Sequence, residues 1–477
     1  MDKQTCPPEP AQRGEGPVSP ERGACKLTGP SLRSAAPPLR QLRMTAAYVA
    51  LSLAAMQLSA QSVILNNNGK KPAVAIRNAM VVPVTAPVCN NCTIVFSGGK
   101  ITAIGANAAV PDGAMLIDGT GLRVYPGMID SGTRIGLTEV ESVPGTNDIS
   151  ELGDLNPNAF AAIALNPHSN VIPVTRINGI TAAVTSPGGG IVSGQSALIQ
   201  LSGWTPKEML IQSPLALNIN FPRLRTSSFD DQPQDEEAEK EARKSYTEQL
   251  DKLRDLFRDA NAYSKAASAR MKDVNVKRFD RDVMLESMVP VVQGRVPVII
   301  HANLERDIRA AIKFADEEKI KMILADADDV ARVIPDLKKR DIPVILGPIL
   351  AIPPREDDPY DLIFTNAQKL NEAGVRFSIQ SDDAHNARNL PYHAAMCAAF
   401  GLPKDVALKA ITIYPAQIFG VADRIGSLEV GKRADLFISD GDPLEITTNV
   451  KRVFIDGEDI PMESYQTLLY KKFLARP

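Results

Sequence analysis

Histidine is scarce in this chain: of 477 residues, only His168, His301, His385 and His393 carry an imidazole. A site in which histidines alone held two metal ions would use nearly all of them. Aromatic residues make up 5% of the chain, with Trp204 the single tryptophan, and 53 Lys+Arg do not outnumber 56 Asp+Glu. With few stacking rings and no basic excess to neutralise phosphates, nucleic-acid binding is excluded as the main task. Cys89-Asn-Asn-Cys92 has no second pair to complete a zinc site, so the expectation, if the chain is exported, is a local disulfide in a turn. Cys6 and Cys25 lie in the N-terminal tail, and Cys397 reads as a buried thiol in a helix. No apolar run is long enough for a stable membrane span. The apolar run at 45–58 follows Arg40 and Arg43 and closes on Ser59-Ala60. A basic flank, a short apolar core and a small-residue exit form the pattern of a secretory signal peptide. Residues 44–60 are therefore expected to direct export, periplasmic or secreted, from a natural start near Met44. Residues 1–43, rich in Pro, Gly, Ser and Arg, are expected to be a disordered extension.

What is present is organised in three parts, as the length suggests. From 65 to 125, short β-branched runs ("AVAIRNAMVV", "TIVFSGGKITAIG", "AMLIDGTGLRVYP") alternate with Gly and Asp-Gly turns, the pattern of a small antiparallel sandwich or barrel. Residues 421–470 behave alike, which predicts one composite β-sandwich built from both ends. Between them, 126–420 alternates Val/Ile-rich runs ("VPVIIHA", "KMILADA", "IPVILGP", "VRFSIQSDD") with amphipathic stretches. Such runs suit parallel strands buried on both faces, and their repetition predicts an α/β, TIM-like (β/α)8 barrel with its chemistry at the strand C-termini. A charged segment at 230–281 interrupts the pattern. Leu250, Leu253, Leu256 and Phe257 give it one apolar stripe, so it reads as a surface helical insertion. The Gly-rich "SPGGGIVSGQSALIQLSG" lacks the Lys-Ser/Thr of a phosphate cradle and reads as a loop at the barrel mouth, with Gln195 a candidate lining residue.

Two phrases carry a specific likeness: "GGKITAIG…IDGTGLRVYPGMID", from Gly98 to Asp130, and "ALKAITIYPAQIFGVADRIGSLEVGKRADLFISDGDPL", from Ala407 to Leu444. Together they resemble the amidohydrolase superfamily, especially its imidazolonepropionase-like branch, and the spacing of the strands between them is compatible. The resemblance implies a barrel beside a composite β-sandwich. It also implies one or two divalent metals, usually zinc, that activate water against a carbon–nitrogen bond. The ligands implied are His-x-His on the first strand, one histidine each on the fifth and sixth, and an aspartate on the eighth.

Matched residue by residue, this chain departs from that set. Gly132 and Arg134 stand in the two first-strand slots, one without a side chain and the other with a permanent positive charge. His301 fills the fifth-strand slot. Asp326 stands where the sixth-strand histidine is expected, and Asp382, with Asp383 as its rival, keeps the eighth-strand acid. Three readings stay open. One is a single divalent metal, zinc first, on His301, Asp382 and His385. Another is a metal-free pocket with Arg134 paired to the eighth-strand aspartate. The last is a catalytically silent relative that binds a ligand. In the active versions Asp382 or Asp383 takes a proton and Arg134 supplies positive charge, while Asn386 and Arg388 either grip a substrate carboxylate or stitch the following helix. His393 reads as structural, and Glu139 as a distant base or a solvated side chain. The expected activity is hydrolysis of a carbon–nitrogen bond, not a peptide bond, in a small-molecule substrate. The oligomeric state is not readable from the sequence.

Overall fold

Short β-branched runs from both ends of the chain combine in one sheet. The computed structural model describes residues 73–224 and 236–476. The chain divides into two units, Met1–Leu65 and Asn66–Pro477. The expected disordered extension, the signal peptide, Cys6, Cys25 and the first residues of the helical insertion lie outside the described residues.

Strands β1 (Val74–Val81), β2 (Cys89–Ser97), β3 (Lys100–Gly105), β4 (Met115–Asp118) and β5 (Arg123–Pro126) open the second unit. The central strands follow: β6 (Met128–Thr133), β7 (Ile180–Thr185), β8 (Val192–Gln195), β9 (Ala197–Gln200), β10 (Leu210–Gln212), β11 (Leu217–Asn220), β12 (Val298–Ala302), β13 (Met322–Asp326), β14 (Val344–Leu346) and β15 (Phe377–Ile379). Then come β16 (Leu436–Ser439), β17 (Val450–Ile455) and β18 (Glu458–Ile460).

The first sheet runs β18-β17-β16-β5-β1-β2-β3, with β4 beside β1. Antiparallel pairing of Val124 with Ile438 joins the two ends of the chain. The sequence expectation of an antiparallel piece needs correction, because β1 pairs in parallel with both β4 and β5. One mixed sheet therefore holds the end segments together. Its core includes Ile76, Ile94, Phe96, Val124, Leu436 and Phe454, all closed to solvent. Cys89 and Cys92 are disulfide-bonded within β2, not across a hairpin turn.

In the middle segment β11 to β15 lie side by side in parallel, and β6 pairs in parallel with β7. Their Val/Ile content follows from burial on both faces, as in β7, where every residue is buried. The segment 192–200 spans the gap: β9 pairs antiparallel with β7, and β8 antiparallel with β11. The Gly-rich phrase expected to be a mouth loop thus contains strands. On the other side, Asp382 N donates to Gly132 O at 3.0 Å, tying the chain beyond β15 to β6.

Amphipathic helices cover the strands. In Glu305–Glu318 the buried Ile308, Ala311, Ile312 and Ala315 recur at helical spacing. The charged insertion forms the 37-residue helix Glu236–Lys272, which buries Leu253, Leu256, Phe257 and Ala260. Phe257 meets Phe314 edge-on, with ring centres 5.6 Å apart. This agrees with the expected apolar stripe on a surface helix. Among the described residues no helix is long and apolar enough to cross a membrane.

Candidate active site

The parallel strands end on a group of polar side chains. On β6, Asp130 is fully buried and its Oδ1 accepts from Gly132 N at 3.2 Å and from Ser381 N at 3.0 Å. This carboxylate therefore clips the chain after β15 onto β6. Burial pushes its pKa up to about 7, against the hydrogen bonds from Ser381 and Gly132. Arg134, just beyond β6, places its Nη2 3.5 Å from Asp382 Oδ1, with the two side chains 41% and 39% exposed. On β12, His301 Nδ1 lies 3.1 Å from Asp326 Oδ2 at the end of β13. Asp326 Oδ1 accepts from Gln380 Nε2 at 2.9 Å.

Asp326 and Asp382 both adopt left-handed backbone, φ 71° and 51°, where the strands end. For non-glycine residues that conformation costs about 1–3 kcal/mol, and it is tolerated mainly where a site fixes it. Electrostatics bind the group further. Burial pushes the His301 pKa down, but the charge and hydrogen bond of Asp326, with help from Asp382, outweigh it and the net shift is upward. Burial lifts Asp382 above the usual carboxylate range, opposed by Arg134 and His301. Gly132, Arg134, His301, Asp326 and Asp382 thus lie close together at the ends of these strands.

Other expected site residues lie elsewhere. His385 Nε2 is 2.8 Å from Glu139 O. A carbonyl only accepts, so Nε2 is the donor of this bond. Asp383 turns away from Asp382 and accepts from Asn386 N at 3.1 Å and Asn386 Nδ2 at 3.0 Å. These bonds hold its pKa below the usual range despite partial burial. Arg388 donates to His385 O and to Asn386 Oδ1. Asn386 and Arg388 therefore stitch this loop. Gln195 is buried within β8 and donates to Pro157 O and Ser287 O at 3.0 and 3.1 Å, so it braces backbone instead of lining the mouth. Glu139 accepts from Asn166 Nδ2 and Asn170 N. Buried His393 accepts from Ile349 N, and burial pushes its pKa down to about 4, in keeping with a structural role. Burial pushes the Cys397 thiol up to about 12, which leaves it unreactive.

A divalent metal at the mouth requires converging donors, and the side chains there do not fit one. Gly132 supplies none, Asp382 faces a guanidinium, and His301, whose Nδ1 is bonded to Asp326, offers one ring nitrogen with no converging partner. A dication about 4 Å from that guanidinium would meet roughly 8 kcal/mol of repulsion at an effective dielectric near 20. Among the described residues, the one group of three metal-ligating side chains is Glu141, Asp383 and His385, with ligand atoms within 4.8 Å of one another. The expected set of His301, Asp382 and His385 is replaced by this one. It sits beside a cleft of about 240 Å³ lined by Glu139, Val171, Val174, His385, Arg388 and Gln466.

Two residues escaped the sequence reading. Asp130 was visible only as the end of a motif, and Gln380 was passed over. Gln380 lies one residue beyond β15, where no local signal marks it.

Comparisons with known proteins bear on the fold that carries these side chains. The model of the Amidohydrolase family matches residues 363–459. A solved amidohydrolase from Thermotoga maritima shares 27% identity and a TM-score of 0.72, covering 81% of this chain and 99% of its own. Amidohydrolase tasK of Hapsidospora irregularis is 23% identical over 376 residues, 73% of this chain and 37% of its own length. N-substituted formamide deformylase of Arthrobacter pascens is 33% identical over 104 residues, 18% of this chain and 19% of its own. The chain thus spans about a third or less of the length of these two curated relatives. Two of the three are named amidohydrolases and one a deformylase, and the fold is similar to that of the solved amidohydrolase.

Proposed function

We propose that the protein hydrolyses a carbon–nitrogen bond, other than a peptide bond, in a small molecule, at the mouth formed by β6, β12, β13 and β15. In this reading β6, β7, the segment 192–200 and β11 to β15 are the eight positions of one TIM-like barrel, and the sheet of end strands is part of a sandwich beside it. The observation that carries the reading is the pairing of Arg134 with Asp382 beside the His301–Asp326 pair. Four ionisable groups balance one another where relatives of this fold keep a catalytic centre.

The chemistry follows from their charges. Asp382, a carboxylate with a lifted pKa, takes a proton from the attacking water as its oxygen bonds to the substrate carbon. Arg134 faces the negative charge that develops on the substrate oxygen. His301, held as imidazolium by Asp326, donates to the leaving nitrogen as the carbon–nitrogen bond breaks. Solvent then returns a proton to His301 and removes one from Asp382. No step runs through a metal ion.

A second reading has its own support in Glu141, Asp383 and His385. There a divalent cation, zinc first because an imidazole nitrogen joins two carboxylates, would sit beside the cleft and orient substrate. The test is a panel of N-substituted amides, formamides and cyclic imides, assayed before and after chelation. Turnover that survives chelation and vanishes in Asp382→Asn supports the first reading. Turnover that chelation abolishes and zinc restores, lost in His385→Ala, favours the second. No turnover of any member of the panel by the wild type, with or without zinc, would leave a ligand-binding protein. Export is proposed alongside, since a Cys89–Cys92 bond suits an oxidising compartment; cell fractionation tests it.

A further inference from the structure

We infer that Gln380 is a positioning residue: it occupies the room that a metal-binding side chain at position 132 would need, and from there it holds the Asp326–His301 pair. The inference rests on the proposed hydrolytic site and deepens it. Gln380 is 2% exposed. Its Nε2 donates to Asp326 Oδ1 at 2.9 Å and to Gly347 O at 3.1 Å. Both partners can only accept, so the amide nitrogen faces them and Oε1 faces the other way, onto Gly132. A Cβ at 132 would lie 2.1 Å from that oxygen and 3.1 Å from Cδ. The backbone at 132 is ordinary strand that any residue adopts. Glycine stands there for space, not conformation. Gly347 makes room on the opposite side, since a Cβ there would meet Gln380 O at 2.4 Å.

The bare backbone at 132 and the amide of Gln380 thus share one space. Any side chain at 132, a histidine included, must expel the Gln380 amide. With the amide gone, Asp326 Oδ1 loses its donor and the carboxylate that orients His301 is free to rotate. The flexible end of Gln380 can swing aside, so the fold survives the change while the alignment is lost.

A double-mutant cycle tests this on the full chain with Gly132→Ala, Gln380→Ala and the pair. Three readouts are followed: melting temperature, the Nδ1–H proton resonance of His301, and kcat on any substrate found. Each single variant is expected to lower the melting temperature by about 2 °C, to broaden or remove the His301 signal, and to lower kcat about 10- to 100-fold through misalignment. In the Gln380→Ala background, adding Gly132→Ala is expected to change none of the three further, because the space is already open. Gln380→Glu, which fits but sets a carboxylate against Asp326, is expected to fail to restore kcat. Additive losses in the pair, or an unchanged His301 resonance in Gln380→Ala, would overturn the inference. Should no substrate be turned over, the melting and resonance cycle still decides it, so its failure is separable from failure of the hydrolytic reading.

Discussion

Asp382 and Asp383 are adjacent in the chain and opposite in circumstance. Asp382, in left-handed backbone, faces Arg134, and burial raises its pKa. Asp383 faces Asn386 and the His385 loop, and hydrogen bonds from Asn386 depress its pKa. One peptide bond separates a carboxylate that faces a guanidinium from one that holds a loop. Composition cannot make this distinction. It comes from what each side chain meets where the chain leaves β15.

The comparison breaks most sharply by mutation. Asp382→Asn is expected to lower kcat by about 10²- to 10⁴-fold, the usual contribution of a positioned acid or base, with little loss of stability. Asp383→Asn is expected to cost about 1 kcal/mol of stability through the lost loop bonds and to leave kcat within a few-fold. Stopped assays and thermal melts of the two variants side by side check both; equal effects on kcat would erase the distinction.

Acid provides the next largest effect. His393 packs beside the same loop, and its folded pKa of about 4 lies below the unfolded 6.5. Below pH 6.5 the unfolded chain takes up the proton that the folded chain refuses. Stability is therefore expected to fall as pH drops from about 6.5 to about 4, by roughly 3 kcal/mol in all, and His393→Gln is expected to flatten that slope. Denaturant melts across this range measure it. His301 has the opposite sign. Its folded pKa is raised, so its acid form persists above pH 6.5, and activity is expected to decline on the alkaline side at a pH that moves down in Asp326→Asn.

Arg134 gives the smallest effect on stability. Its pair with Asp382 is about two-fifths exposed, so Arg134→Gln is expected to cost less than about 1 kcal/mol of stability. Its kcat is expected to fall about tenfold or more through the lost positive charge. Stability and turnover measured on the same preparation separate these roles.

Much of the fold was legible because Val/Ile-rich runs and Asp-Gly turns are local signals. The parallel β11 to β15 array follows from runs such as "VPVIIHA", and the joining of the two chain ends follows from their shared turn pattern. The antiparallel segment 192–200 was read as a loop because its glycines mask a strand that is buried on every side. At the strand ends, Arg134, His301, Asp326 and Asp382 were singled out only through the family resemblance, because strand phase by itself does not say which residues meet. The place of His385 was not, because it lies on a loop whose path depends on the Glu139 carbonyl far away in sequence. Gln195 misled for a similar reason, since its partners Pro157 and Ser287 are remote. Gln380 needed knowledge of Gly132 as a neighbour, which only the closure of β15 toward β6 provides.

The central claim is that the strand-end mouth has no place for a metal ion, and that any cation goes to the loop instead. Four histidines make this directly observable by following their imidazole resonances while one equivalent of zinc is added to metal-stripped protein. The expected result is that His301 does not move, whether or not His385 does. A zinc-dependent shift of His301 ahead of His385 would contradict the account.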